Sequence, residues 1–285
     1  MTGGFPMLLA INGATTMKAS LPQDIAAASS AGFKALEIWV AKLDTYLASP
    51  PNSVETLKAS LDRAGVQPVS FNSIEFITFR PPNEYEKIQA RCRQLGEIGQ
   101  ALNCRKIVVV PSPKPEGVGW EEIKRESVRV LRELAQLVAP YEMQLAFEFL
   151  GFGWCSVRTL SECWEIVREV DRANVGLVLD TCHFYAGGSD LESIATVDAA
   201  KIFIFHINDV EARPKETIED AHRLLPGEGV IPLDEILTRL RRINYDGLCS
   251  IELFRPEYWE RDPAELAAAA RVATLKVVER FFQVV

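Results

Sequence analysis

Short apolar runs alternate with amphipathic stretches from one end of this 285-residue chain to the other, and that alternation leaves few folds open. The runs are Met7–Asn12, Ala35–Val40, Pro68–Ser73, Lys106–Pro111, Gln144–Phe149, Val175–Asp180, Lys201–Asn208 and Leu248–Leu253. Their near-continuous apolar character is that of parallel strands buried on both faces; a half-exposed strand would alternate. The intervening stretches carry helix punctuation. Ser20-Leu-Pro-Gln23 and Thr159-Leu-Ser-Glu162 fit capping boxes, and Asp262-Pro-Ala-Glu265 offers an N-cap, a proline at N1 and an acid at N3. Gly32 and Gly65 stand where helices should end. From Trp120 to Ala139, the residues Trp120, Ile123, Val130, Leu131, Leu134, Leu137 and Val138 can share one helical face.

Strand–helix units in series, with short links and no Pro/Gly/Ser-rich linker, predict an α/β fold: a single (β/α)8 barrel, one domain over 1–285. An open doubly wound sheet would need a G-x-G-x-x-G loop after its first strand. The loop here, Asn12-Gly-Ala-Thr-Thr16, lacks it.

In a barrel the C-terminal ends of the strands converge on one mouth, where active sites sit. Those ends read Phe147-Glu148-Phe149, Leu179-Asp180-Thr181, Phe205-His206-Ile207 and Ile251-Glu252-Leu253, each a polar residue interrupting an apolar strand. A lone buried carboxylate costs several kcal/mol unless it is paired or bound to a cation. Any one of the four could be a satisfied salt bridge. Four in succession, all oxygen or nitrogen donors, are explained together by one divalent ion. The absence of thiolate suits Mn²⁺, Co²⁺, Zn²⁺ or Mg²⁺ and does not choose among them.

The chain has three histidines, His183, His206 and His222. His183, on the loop expected after Asp180, is placed to hydrogen-bond a metal-bound substrate oxygen; a helix-start histidine packed against Phe184 and Tyr185 is the alternative. Between His206 and Glu252 the interval exceeds one repeat, because Asp209 to about Ile231 forms an insertion. Within it, Arg223 is placed to fold over the mouth and orient an oxygen-rich substrate, and Pro226-Gly227 and Gly229 suit a turn into the next helix.

The formal net charge of −8, with both signs interspersed, speaks against nucleic acid, whose binding needs a basic surface. The six cysteines show no C-x-x-C spacing and suit free thiols in a reducing cytosol. Met1-Thr-Gly-Gly-Phe-Pro6 lacks the basic and apolar regions of a secretory leader, and no apolar run approaches the roughly 20 residues that span a bilayer. The expectation is a cytoplasmic protein without a membrane partner, its oligomeric state undetermined.

With Asn174-Val-Gly-Leu-Val-Leu-Asp-Thr-Cys-His-Phe184, Lys201-Ile-Phe-Ile-Phe-His-Ile-Asn-Asp209 and Ser250-Ile-Glu-Leu-Phe-Arg-Pro-Glu-Tyr258, the chain resembles the xylose isomerase-like barrel superfamily of sugar isomerases and epimerases over essentially its full length. Within that superfamily it is most similar to the inosose (2-keto-myo-inositol) isomerases of inositol catabolism. The resemblance implies metal ligation by Glu148, Asp180, His206 and Glu252, with Glu148 and Glu252 also the acid/base pair. It implies that His183 and Arg223 contact substrate and that Trp39 forms a wall for the ring, core packing being Trp39's competing role. The implied reaction moves the carbonyl of a small polyhydroxylated ketone through an enediolate, from 2-keto-myo-inositol to 1-keto-D-chiro-inositol, without saying which glutamate is acid and which is base.

Other enzymes of the same barrel remain open: ketose 3-epimerase, hydroxypyruvate isomerase, inosose dehydratase and 3-dehydroshikimate dehydratase. The loops Asp209–Ile231 and Phe254–Trp259 would discriminate them. An endonuclease IV-like repair enzyme would need a histidine-rich three-zinc cluster and fits poorly with three histidines and the acidic charge. A non-catalytic sugar-binding barrel is opposed by the intact Glu148 and Glu252.

Overall fold

The computed structural model describes residues 6–285; residues 1–5, part of the segment expected to lack a leader, lie outside the described residues. Each expected apolar run forms a strand: β1 (Pro6–Asn12), β2 (Ala35–Trp39), β3 (Gln67–Ile74), β4 (Lys106–Val109), β5 (Gln144–Glu148), β6 (Val175–Asp180), β7 (Ile202–Ile207) and, after a short pair described below, β10 (Leu248–Ile251). Neighbours pair in parallel in sequence order, and β10 pairs with both β7 and β1, which closes the barrel. Connecting helices include α1 (Leu21–Ala31), α2 (Val40–Leu47), α3 (Val54–Ala64), α4 (Pro82–Leu102), α5 (Trp120–Val138) and α6 (Leu160–Val170).

The caps sit where the sequence puts them. Gln23 accepts the Ser20 N–H at 2.8 Å, and Thr159 and Glu162 satisfy each other's backbone N–H groups at 3.3 and 3.0 Å. Gly32 and Gly65 end α1 and α3 with φ of 86° and 64°.

Side chains alternate across each strand, and that period of two decides what reaches the barrel axis. Ala10, Ala35, Val108, Ala146, Val178 and Ile204 pack together as a small inner cluster. Their neighbours Ile11, Leu36, Val109, Phe147, Leu179 and Phe205 join the larger core, which also takes in the helices. Two residues beyond an inner apolar position therefore lies another inward one, nearer the mouth. Asn12, Glu37, Glu148, Asp180 and His206 all occupy such positions, and Glu252 stands two beyond the buried Ser250.

Two segments differ from expectation. The residues after Asp180 are not a loop but the first turn of α7 (Thr181–Ala186): the Asp180 carboxylate accepts the His183 N–H at 2.8 Å and caps the helix. The insertion after β7 is partly ordered by an antiparallel pair, β8 (Asp209–Val210) with β9 (Arg223–Leu224). Buried Asp209 ties this segment down by accepting the N–H groups of Gly227 and Ile231 at 3.1 and 2.9 Å. A Cβ on Gly229 would fall 2.2 Å from the Val210 carbonyl, so the turn needs glycine there. Then follow α8 (Leu233–Arg242), α9 (Pro256–Trp259) after β10, and α10 (Pro263–Val278), capped by Asp262 through the N–H groups of Ala264 and Glu265.

The loop after β1, which carries Asn12 into the mouth, is held by a buried ion pair. Lys42 Nζ of α2 reaches Asp24 of α1 at 2.7 Å and the carbonyls of Gly13 and Thr16 at 2.8 Å each. Burial pushes the Asp24 carboxyl up to about 6 and lowers Lys42, so both shifts favour the neutral forms although the pair is well formed. Removing one partner strands the other charge. We expect Lys42→Met to lower unfolding free energy by about 3–5 kcal/mol in urea titrations, with Lys42→Met/Asp24→Leu recovering part of the loss; additive losses in the double variant would show that the pair does not act as a unit.

Candidate metal centre

Four of the inward side chains meet at the mouth. One donor atom from each of Glu148, Asp180, His206 and Glu252 lies within 4.8 Å of all the others, and all four residues are buried. Asp180 and His206 are direct neighbours in the β6–β7 register, so strand pairing itself sets them side by side. His206 Nδ1 stands 3.0 Å from Glu148 Oε1, 3.4 Å from Glu252 Oε2 and 3.9 Å from Asp180 Oδ2.

Electrostatics in this cluster follow from packing three carboxylates out of water. Burial, reinforced by Glu252, pushes the Glu148 carboxyl up to about 8, with His206 pulling the other way. Burial would likewise neutralise His206, but Glu252, Glu37 and Glu148 outweigh it and hold the imidazolium well above its usual range. For Asp180 the desolvation is overcome by Arg223, His183 and His206, which keep its carboxyl below the usual range. A divalent cation bound to the same oxygen and nitrogen atoms would supply the positive charge that these protons supply. Thiolate is absent from the four, and the donor set fits Zn²⁺, Mn²⁺, Co²⁺ or Mg²⁺.

The other expected site residues converge on the same place. Above the cluster lies a cavity of about 220 Å³ lined by Trp39, His183, Arg223, Glu148 and Glu252 among others. Trp39 meets Phe254 edge-on at 5.6 Å, so it is a cavity wall as well as a packed ring. His183 packs against Phe152, centroids 4.9 Å apart, and its buried Nδ1 has no hydrogen-bond partner. Among the fully buried side-chain polar atoms of the described lining residues this is the one lacking a partner, which a substrate hydroxyl could provide.

Arg223 is a finding of a different kind from the lid expected. It is fully buried, not folded over the mouth from outside. Its Nη1 donates to Asp180 Oδ2 at 2.8 Å and Glu252 Oε2 at 3.0 Å, its Nε donates to Asp220 at 2.9 Å, and its Nη2 lies 3.1 Å from His183 Nε2. The guanidinium stacks over Phe254 at 5.2 Å.

Several residues at the mouth escaped the sequence argument. Glu37 Oε1 lies 2.9 Å from His206 Nε2, and the Ser70 hydroxyl donates to its other oxygen. Asn12 and Asn72 both donate to Glu252 Oε1, at 3.0 and 2.9 Å. For Glu37 the signal was present: an acid in the apolar run Ala35-Leu-Glu-Ile-Trp39 is the same anomaly that marked the other four. Asn12 and Asn72 are uncharged and carry no comparable flag.

Protons and the ion compete for the same atoms, so affinity must weaken as pH falls. The apo cluster holds a proton on His206 and, below about 8, one on Glu148. Zinc binding at neutral pH should release protons, seen as a dependence of the calorimetric heat on buffer ionisation enthalpy, and should tighten towards pH 8. Heats independent of buffer would contradict this electrostatic account.

Comparison with known proteins agrees with the architecture. Residues 25–276 match the family model for the xylose isomerase-like TIM barrel. The chain is 36% identical to the inosose isomerase of Halalkalibacterium halodurans over 97% of its own length and 98% of that protein. It is also 36% identical to the inosose isomerase of Bacillus subtilis, over 97% of this chain and 99% of the other. A crystal structure of the IOLI protein with a binding zinc atom superposes with a TM-score of 0.94 at 36% identity, covering 97% of this chain and all of that one. With a closed eight-strand parallel barrel and similarity along nearly the whole chain, this protein belongs to the xylose isomerase-like TIM barrel family.

Proposed function

We propose that this chain is a divalent-metal-dependent inosose isomerase that moves the carbonyl of 2-keto-myo-inositol to the neighbouring carbon, giving 1-keto-D-chiro-inositol. The observation that carries this reading is the convergence of Glu148, Asp180, His206 and Glu252 beneath a small cavity, in a chain similar over nearly its full length to inosose isomerases. The zinc of the IOLI protein makes zinc the first ion to test, and six free, buried thiols suit a cytoplasmic location.

Glu148, Asp180, His206 and Glu252 would hold the ion, which as a Lewis acid would polarise the carbonyl and stabilise the negative charge of the enediolate. The remaining work falls to the chain's own groups. Glu148 and Glu252 both border the cavity, so each is a candidate for proton transfer to or from a substrate held there. One takes the C–H proton beside the carbonyl, a proton is returned to the former carbonyl carbon, and a hydroxyl proton passes between the two oxygens. His183 Nε2 accepts from Arg223, which leaves the ring proton on Nδ1 to donate to a ring hydroxyl, while Trp39 and Phe254 exclude water on one side of the ring.

Charge on the cavity wall favours a neutral polyol over the anionic substrates of related barrels. Glu75, Glu148, Asp220 and Glu252 line it, and the one arginine there, Arg223, is already matched to Asp180, Glu252 and Asp220. A substrate carboxylate, as in hydroxypyruvate or 3-dehydroshikimate, finds no uncommitted side-chain cation among the described lining residues.

Incubating zinc-loaded protein with 2-keto-myo-inositol in D₂O, followed by NMR, should show 1-keto-D-chiro-inositol and deuterium on the carbon beside the carbonyl. The absence of both product and exchange would defeat the assignment. Hydroxypyruvate and 3-dehydroshikimate should turn over far more slowly under the same conditions. Glu252→Gln should lose about 10²–10⁴-fold in turnover, more than it loses in metal affinity; wild-type turnover in that variant would remove Glu252 from proton transfer.

A further inference from the structure

We propose that Glu37 is a positioning residue for the metal centre, its carboxylate fixing the ring proton of His206 on Nε2 so that Nδ1 is committed to the ion. The inference rests on the metal centre proposed above and adds a residue from a strand that supplies no ligand. Glu37 and His206 are both completely buried, and Glu37 Oε1 lies 2.9 Å from His206 Nε2. An ionised carboxylate only accepts hydrogen bonds. A neutral imidazole carries one ring proton, and beside Glu37 that proton belongs on Nε2. Nδ1 then keeps its lone pair, and Nδ1 is the atom that faces Glu148, Asp180 and Glu252.

Glu37 is itself anchored. Its Oε1 accepts from Asn12 Nδ2 at 3.2 Å, and its Oε2 accepts from the Ser70 hydroxyl. Asn12, Ser70 and His206 Nε2 thus all face this one carboxylate. The Asn12 amide also donates to Glu252 Oε1, where the Asn72 amide joins it. One network on β1, β2 and β3 thus orients two of the four donors: it selects the nitrogen of His206 and turns Oε1 of Glu252 away from the cluster, leaving Oε2 to face it. Hydrogen-bond partners of this kind are worth about 10–100-fold in metal affinity where they have been removed.

Cobalt(II) alone serves as the probe, with affinity read by competition against a chelator and coordination read from the visible absorption bands. Wild type should bind one ion, and His206→Ala should abolish the bands. Glu37→Gln keeps an acceptor oxygen but loses the charge; it should bind cobalt about 10–100-fold more weakly, with shifted bands and an apo melting temperature close to wild type. Ser70→Ala, which leaves Glu37 in place but loosens it, should show a smaller change in the same direction. Glu37→Gln with wild-type affinity and bands overturns the role of Glu37 alone, and so does an unaltered Ser70→Ala if Glu37→Gln fails to fold. A wild-type chain that takes up no cobalt overturns the metal centre and this role with it.

Discussion

Burial of negative charge at the barrel mouth is the constraint on which the rest of this structure depends. Glu37, Glu148, Asp180 and Glu252 are between 0 and 4% exposed, and isolated carboxylates in such a place would be strongly destabilising. The fold answers with His206 and Arg223, both wholly buried, and with amides from Asn12 and Asn72. Two cationic groups are shared among four acids and Glu148 holds a proton of its own at neutral pH, so a divalent ion can replace these protons as the source of positive charge. Stability and function meet in the same charges: a centre made of apolar residues would fold more easily and could bind no ion.

The layered arrangement follows from strand period and barrel closure. Small side chains such as Ala10, Ala35 and Ala146 fill the axis below, and the next inward position on each strand is free to be polar because it opens on the cavity. The strands divide the labour. β5, β6 and β7 and the end of β10 carry the four donors, while β1, β2 and β3 carry Asn12, Glu37, Ser70 and Asn72, which hold His206 and Glu252 from behind. The Lys42–Asp24 pair keeps the loop after Asn12 in register with this layer from outside the barrel.

Much of this was legible in the chain because it is written in local pattern. Apolar runs, capping boxes and helix-ending glycines are short-range signals, and each of the expected strands formed within a few residues of its expected bounds. The four donors stood out because each interrupts an apolar strand, and the chemical cost of doing so is independent of the fold. Glu37 carried the same signal in Ala35-Leu-Glu-Ile-Trp39 and was passed over, since on strand 2 it stood outside the consecutive series. Arg223 was expected at the rim because it lies in an insertion, but the β8–β9 pair and the Asp209 knot draw that segment inward until the guanidinium reaches the carboxylates. His183 was expected on a loop, with a helix start as the alternative, and the helix start is what forms, because the Asp180 carboxylate also caps it.

By itself, then, the sequence determined the barrel and singled out the four residues that converge at its mouth, because periodicity and burial cost act residue by residue along the chain. Tertiary structure alone decided which nitrogen of His206 faces the cluster, which oxygen of Glu252 is tied back, and that Arg223 belongs to the floor of the cavity. Those are properties of side chains brought together from residues 12, 37, 70, 72, 206, 223 and 252, far apart in the chain, and their spacing is set by strand register and barrel closure, which no local pattern encodes.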